Sequence, residues 1–166
     1  VGRVVRKREG VEQVRIAVKG LDGTTGKVGY FETAKYPDGT PVAYVAAIQE
    51  FGAQEQGIPA RPTMRPTIAA QSSEWSRQFG AGARAVVNGR ATAVQVMGAV
   101  GMLAAGDVAK AVAALTAPPL AEATIDKRRS RYADKNKTGN LSKPLVDTSI
   151  MVGSITHAVE TGGGGP

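Results

Sequence analysis

Between residues 10 and 33 the apolar positions follow an extended-chain rhythm. Val11, Val14, Ile16 and Val18 are spaced mostly two apart, which puts them on one face of a strand. Leu21-Asp22-Gly23 and Thr24-Thr25-Gly26 supply a turn, and the chain returns from Lys27 to Thr33. There Val28, Tyr30 and Glu32 lie on one face, and Gly29, Phe31 and Thr33 on the other. The pattern predicts an N-terminal hairpin. Tyr36-Pro37-Asp38-Gly39-Thr40-Pro41 is a turn, because proline presets φ and Asp-Gly tolerates positive φ. Pro41 then opens a short helix, on which Val42, Val45, Ala46 and Ile48 lead to Phe51, with Gly52 as the stop.

Beyond a loop over residues 53–62, ended by Pro59 and Pro62, the period becomes helical. Met64, Ile68, Trp75 and Phe79 are spaced like one buried helix face, with a break allowed at Gly80 and Gly82. A further helix over about Ala91–Leu115 carries Val94, Met97, Gly101, Ala104, Val108, Ala111 and Leu115 on one stripe. Its Gly98, Gly101 and Gly106 each cost ~1 kcal/mol against alanine, an expense that close approach of a neighbouring helix would offset. Ala117-Pro118-Pro119-Leu120 interrupts the pattern before a basic amphipathic helix, Ala121–Tyr132, and an exposed polar loop, Ala133–Lys143. A turn at Asp147 leads to a last strand over about Met151–Val159. Strands at both ends and helices between them predict an α+β fold in one domain, residues 1–166. Its small antiparallel sheet would join the N-terminal hairpin to the C-terminal strand. A basic arm, residues 1–10, and a flexible glycine-rich tail, residues 161–166, flank it.

Composition narrows the chemistry. The chain has no cysteine, which excludes disulfides and thiolate metal sites, and its single His157 argues against a histidine-based metal site. Aromatics make up only 5%, so the core is built from small side chains and gains less per residue on burial. Part of the apolar surface is therefore expected to be covered between subunits. The formal charge of +7, from 21 Lys+Arg against 14 Asp+Glu, suits a polyanion or an acidic protein without distinguishing them. No apolar stretch follows Arg3, Arg6, Lys7 and Arg8, so no secretory signal is expected. The apolar run Ala91–Gly106 falls short of the ~20 residues a bilayer span requires, and the chain is expected to be soluble.

The grouping nearest to a catalytic set is Asp147, Ser154 and His157. A triad needs its base within hydrogen-bond reach of the serine, whereas residues three apart in a strand point to opposite faces. No Gly-x-Ser-x-Gly elbow surrounds Ser154, and Asp147-Thr148 reads better as a cap. Glu50 and Glu55 sit near Arg61 and Arg65, which favours a structural ion pair. Gly20–Gly29 lacks the Gly-Lys-Ser/Thr of a phosphate loop. No catalytic residue, cofactor or metal is predicted. Two basic clusters remain: Arg3, Arg6, Lys7 and Arg8, and then Lys127, Arg128, Arg129 and Arg131 with Lys135 and Lys137. Each is either a solvated face or a contact with acidic protein or DNA phosphates. Residues 44–66 combine an apolar helix, a glycine stop and a proline-fixed loop carrying Arg61, which is extended by Pro62. Such a segment suits docking, since little chain entropy is lost on binding, and equally suits a purely structural loop.

Those residues carry a resemblance. Tyr44–Pro66 resembles the signature of small tailed-bacteriophage neck, tail-completion or virion-morphogenesis proteins, Ala-x-x-x-Glu-Phe-Gly followed by Ile-Pro-Ala-Arg-Pro-Phe-x-Arg-Pro. A second match runs through Pro118-Pro119-Leu120-Ala121 with Thr124-Ile125, then Lys143-Pro144-Leu145-Val146-Asp147-Thr148 and Ser154-Ile155-Thr156. There the family has a short helix between its Asp-Thr-Gly and the Ser-Ile-Thr that opens the last strand. Thr63 stands where phenylalanine is common, and Ser149 where glycine is usual.

The resemblance implies a non-enzymatic α+β protomer of the virion neck, assembled in the host cytoplasm into a homo-oligomeric ring. A hexamer is favoured and a dodecamer possible. The ring would join the portal or its adaptor to the tail tube or tail terminator, with genomic DNA passing through its lumen and no membrane involved. Such an interface is head-to-tail and closes by rotation. The interface candidates are Glu50, Phe51, Gly52, Ile58, Pro59, Arg61, Pro62 and Arg65, with Arg3, Arg6, Lys7 and Arg8 of the arm. Pro118, Pro119, Pro144, Asp147 and Thr148 are the turn and cap candidates. The alternatives are a tail terminator or minor tail protein, a non-specific DNA-binding protein, and a hydrolase using Asp147, Ser154 and His157.

Overall fold

Arg8–Asp22 forms a helix, α1, where the alternation predicts the first strand of a hairpin. Val11, Val14 and Val18, read there as strand positions, also satisfy helical spacing, and Leu21 continues it. Tertiary packing decides between the two periods: Ala17 is buried against Val86 and Val96, with Leu21, Phe79, Val87 and Ala91 packed around them. The helix ends where Gly23 N–H donates to Lys19 O and the Thr24 hydroxyl donates to Gly20 O at 2.6 Å. The predicted hairpin is therefore a helix followed by one strand, β1 (Thr24–Tyr30), which pairs with the C-terminal strand β2 (Ile155–Thr161). The fold is α+β, with a two-stranded antiparallel sheet and six α-helices among the described residues. The computed structural model describes residues 8–133, 141–145 and 149–162.

The remaining helices are α2 (Val42–Phe51), α3 (Met64–Val87), α4 (Ala93–Ala114), α5 (Glu122–Ala133) and the short α6 (Ile150–Gly153). The chain divides into two compact units. One comprises the described residues within 1–28, 72–104 and 157–166, the other those within 29–71 and 105–156.

In the first unit α3 passes through Gly80 and Gly82 without the break that two glycines suggest. The reason at Gly82 is packing: a Cβ there would collide with the methyl groups of Val96. Glycine lets the two helices approach, and the contact repays its low helix propensity. Gly101 plays the same part toward β2, since a Cβ would meet the His157 side chain at 3.0 Å. Lys27 Nζ and Glu160 Oε1 bridge β1 and β2 at 2.7 Å on the solvent side. Val94, placed on the buried stripe by its spacing, is exposed, and Ala93 and Val96 are buried instead.

The second unit opens on the expected turn. Gly39 takes φ 85°, Asp38 Oδ1 accepts Thr40 N–H at 3.0 Å, and Gly39 N–H donates to Tyr36 O. Pro41 precedes α2, Val42 is fully buried, and α6 packs against α2 through the region of buried Met151. Val108 and Val112 of α4 are buried as well, while Ile68, assigned to the buried face of α3, is exposed and Thr67 is buried in its place. The last strand begins later than its apolar run suggests, because residues 150–153 form α6 first. Ser149 before it takes φ 59°, a left-handed conformation, at the position where the resembled signature has glycine.

The apolar run of residues 91–106 extends to a 22-residue helix, α4, about 33 Å long at ~1.5 Å per residue. By length and composition α4 can cross a membrane, which corrects the expectation that this run is too short; a third of its most apolar stretch is buried.

Candidate functional site

The residues of the first matched segment are joined by one carboxylate. Glu50, in the last turn of α2, is buried, and its Oε2 accepts the backbone N–H of Thr63 at 2.7 Å and of Met64 at 2.9 Å. Its Oε1 accepts Arg65 N–H at 3.0 Å and Arg65 Nε at 3.1 Å. These N–H groups open α3, which has no acidic residue in its own first turn. Glu50 therefore supplies from another helix the negative charge and the acceptors that a helix start lacks. Burial alone would raise the Glu50 carboxyl, but the backbone donors and Arg65 outweigh it and hold it below the usual carboxylate range. Thr63 is buried here, and its carbonyl accepts the Thr67 hydroxyl at 2.7 Å.

Gly52 stops α2 with φ 77°, its N–H donating to Ile48 O at 2.7 Å. A Cβ at this glycine would lie 2.9 Å from Ala60 N and 3.0 Å from Ile58 O, so the returning loop leaves room for glycine alone. Ala53 and Ile58 exchange backbone hydrogen bonds around a 3-10 turn, Gln54–Gln56, and the loop folds back on α2. Arg61 N–H then donates to Gln49 O at 2.6 Å. Side-chain and main-chain contacts thus fix the same residue.

Arg61 is only 5% exposed. Its Nε donates to Pro118 O at 2.9 Å, its Nη2 to Pro119 O at 2.7 Å, and its Nη1 to Gln49 Oε1 at 3.2 Å. The planar guanidinium fork matches two consecutive carbonyls, a geometry lysine cannot reproduce. Burial, and then the like charge of Arg128, pull the Arg61 guanidinium below its ordinary value. Arg128 of α5 is buried as well, and donates to Lys143 O at 2.8 Å. Two arginines thus tie the second matched segment to the first and to itself.

Tyr30 adds a buried polar end. Its hydroxyl has no hydrogen-bond partner among the described residues. Burial, with the nearby Tyr36 and Glu50, pushes the phenol up to about 12.

Of the predicted interface residues, Phe51, Pro59 and Arg65 lie on the surface, and the Arg65 guanidinium stacks 4.7 Å over the Phe51 ring. Ile58 and Pro62 are half-buried. Glu50 and Arg61 are internal ties, which corrects their reading as contact residues of a docking loop: their polar atoms are taken up by the protein's own backbone. Pro118 and Pro119 hold the acceptor carbonyls, and Pro144 is buried. Arg8 begins α1, and the predicted arm therefore becomes helical at its end. Arg3, Arg6, Lys7, Asp147, Thr148 and residues 163–166 of the tail lie outside the described residues, as do Lys135 and Lys137. The Ser154 hydroxyl donates to Ile150 O at 2.6 Å. Sequence reasoning missed the burial of Arg128; its one signal is the alignment of Arg128 with Ile125 and Tyr132 on α5, at helical spacings of three and four.

No family model, no curated protein and no solved structure matches this chain.

Proposed function

We propose that this chain is a structural protein of a tailed-bacteriophage neck, assembling into a ring that joins the capsid portal or its adaptor to the tail. The observation that carries the reading is the tie from Arg61 to the carbonyls of Pro118 and Pro119. It links the two segments in which the resemblance was found, 57 and 58 residues apart. Glu50 adds the start of α3 to the same framework. The distinctive polar side chains are consumed in fixing backbone, which is the economy of a building block whose surfaces must stay in register with neighbours.

Exposed apolar side chains support assembly. Val11, Val14, Ile16 and Val18 of α1 and Val94 and Met102 of α4 are all at least 43% exposed. Val11, Val14 and Val18 share one face of α1 by helical spacing, and monomeric proteins rarely leave large contiguous apolar patches in contact with water. The decisive experiment images particles assembled in a host where the gene is deleted. Separate filled heads and free tails support the joining role, and normally joined virions overturn it. Native mass spectrometry of the purified protein should show a closed ring rather than a monomer.

A further inference from the structure

The second unit contains a groove of about 1280 Å³ lined by Arg61, Arg128 and Arg131, with Asp38 the one carboxylate among the described lining residues. We infer that this groove docks an acidic peptide segment of a partner protein. Its volume exceeds the ~300–1,000 Å³ of small-molecule pockets, which favours a chain segment over a metabolite. Its walls also carry Tyr36, Tyr132, Ile58, Leu120 and Met151, which would receive the apolar residues of such a segment.

The charge is arranged in depth. Arg131 is exposed on α5, while Arg61 and Arg128, which line the same groove, are buried. All acceptors of Arg61 among the described residues are neutral: two carbonyls and the Gln49 amide oxygen. Its positive charge is thus oriented by dipoles and not cancelled by a carboxylate in those contacts. A low-dielectric wall with a fixed charge behind it focuses the field into the groove and attracts an incoming anion. Asp38 opposes this weakly, being at the exposed turn where its Oδ1 already accepts Thr40 N–H.

A peptide fits this better than duplex DNA does. Sequence-blind DNA binding draws on several exposed Lys and Arg side chains that reach phosphates together. Here two of the three arginines are buried in a concave, partly apolar surface. The groove belongs to the second unit alone, so the inference does not depend on the ring reading, and its failure would leave that reading standing.

The test is fluorescence anisotropy on the full chain, using a short labelled peptide of repeated Glu-Ala-Leu-Asp and a twin with Gln and Asn replacing the acids. The acidic peptide should bind at least about tenfold tighter than its twin, because the charge governs the attraction. Arg131→Glu should weaken it by a similar factor. Lys127→Glu makes the same charge change on the same helix outside the groove lining, and should leave binding within about twofold, as expected for a screened, more distant charge. Circular dichroism checks that both variants fold. Equal binding of the two peptides overturns the inference, as does an equal loss in both variants. Displacement of the peptide by unlabelled duplex DNA, with both variants weakened alike, also overturns it and assigns the site to nucleic acid.

Discussion

The carboxylate of Glu50 accepts the backbone N–H of Thr63 at 2.7 Å across 13 residues of sequence, so the end of α2 caps the start of α3. Because the same carboxylate also receives Met64, Arg65 and the Arg65 side chain, its charged form is the one the fold stabilises. Its pKa is lowered from the ordinary 4.5 in the folded state. The contribution to stability is then complete above that unfolded value and is lost as pH falls through the lower, folded one. Glu50→Gln keeps one acceptor oxygen and loses the charge and the second. It should destabilise the protein at neutral pH by ~1–3 kcal/mol, the range for stranding buried donors. Urea unfolding of both proteins across pH should show the gap closing as the wild type is acidified below pH 4.5, with no gap left once Glu50 is protonated. A constant gap at every pH would contradict the capping account.

Arg61→Lys tests the second tie. Lysine keeps the charge but presents a single ammonium where a planar fork now reaches Pro118 O and Pro119 O together. One buried carbonyl is stranded, with a cost of about 1–3 kcal/mol. Chemical denaturation should show that loss with an unchanged m-value. Protection of the Thr124 and Ile125 amides, which donate to Ala121 O just beyond these prolines, from hydrogen exchange should fall more than protection in α1. A variant as stable as wild type would mean that the charge, and not the fork, holds these carbonyls.

Turn chemistry was readable at Asp38-Gly39 and at Gly52 because glycine, aspartate and proline impose local dihedral demands that no distant contact alters. The class α+β followed from elements at the chain ends. The identity of α1 was not readable, since Val14 and Val18 serve a strand face and a helix face alike and the deciding partners, Val86 and Val96, lie far downstream. The site was half legible. The spacing of Glu50, Arg61 and Arg65 announced an ion pair, and one exists between Glu50 and Arg65 at 3.1 Å. Nothing local, however, revealed that Arg61 would seek carbonyls 57 residues away, because backbone acceptors carry no sequence label.

Two glycines in α3 should respond to alanine with opposite signs. At Gly80 a Cβ meets nothing within 4 Å, so Gly80→Ala should stabilise by ~0.5–1 kcal/mol through helix propensity alone. At Gly82 the Cβ would collide with Val96, so Gly82→Ala should instead destabilise by ~1–3 kcal/mol, as overpacking of a well-packed core does. Adding Val96→Ala to Gly82→Ala should recover part of the loss, giving a favourable coupling in a double-mutant cycle. Thermal unfolding of the wild type, the three single variants and the double variant reads all of this directly. Equal shifts for both glycine variants would mean that α3 and α4 are not in close contact at Val96.

Ser149 holds φ at 59° immediately before α6, without a side-chain cap hydrogen bond. For an L-residue this left-handed conformation costs about 1–2 kcal/mol, because Cβ crowds the following carbonyl. Glycine enters the same region freely, yet its unfolded chain has more states to lose, which returns part of the gain. The difference predicts that Ser149→Gly stabilises the chain by ~0.5–1 kcal/mol. Ser149→Ala keeps the Cβ, and should leave stability unchanged or lower it slightly. Both variants leave the α6 contacts of Ser154 with Ile150 O intact. Comparing their urea midpoints with wild type separates backbone strain from loss of the hydroxyl. If alanine stabilises as much as glycine, the serine side chain and not its φ is what the fold pays for at this turn.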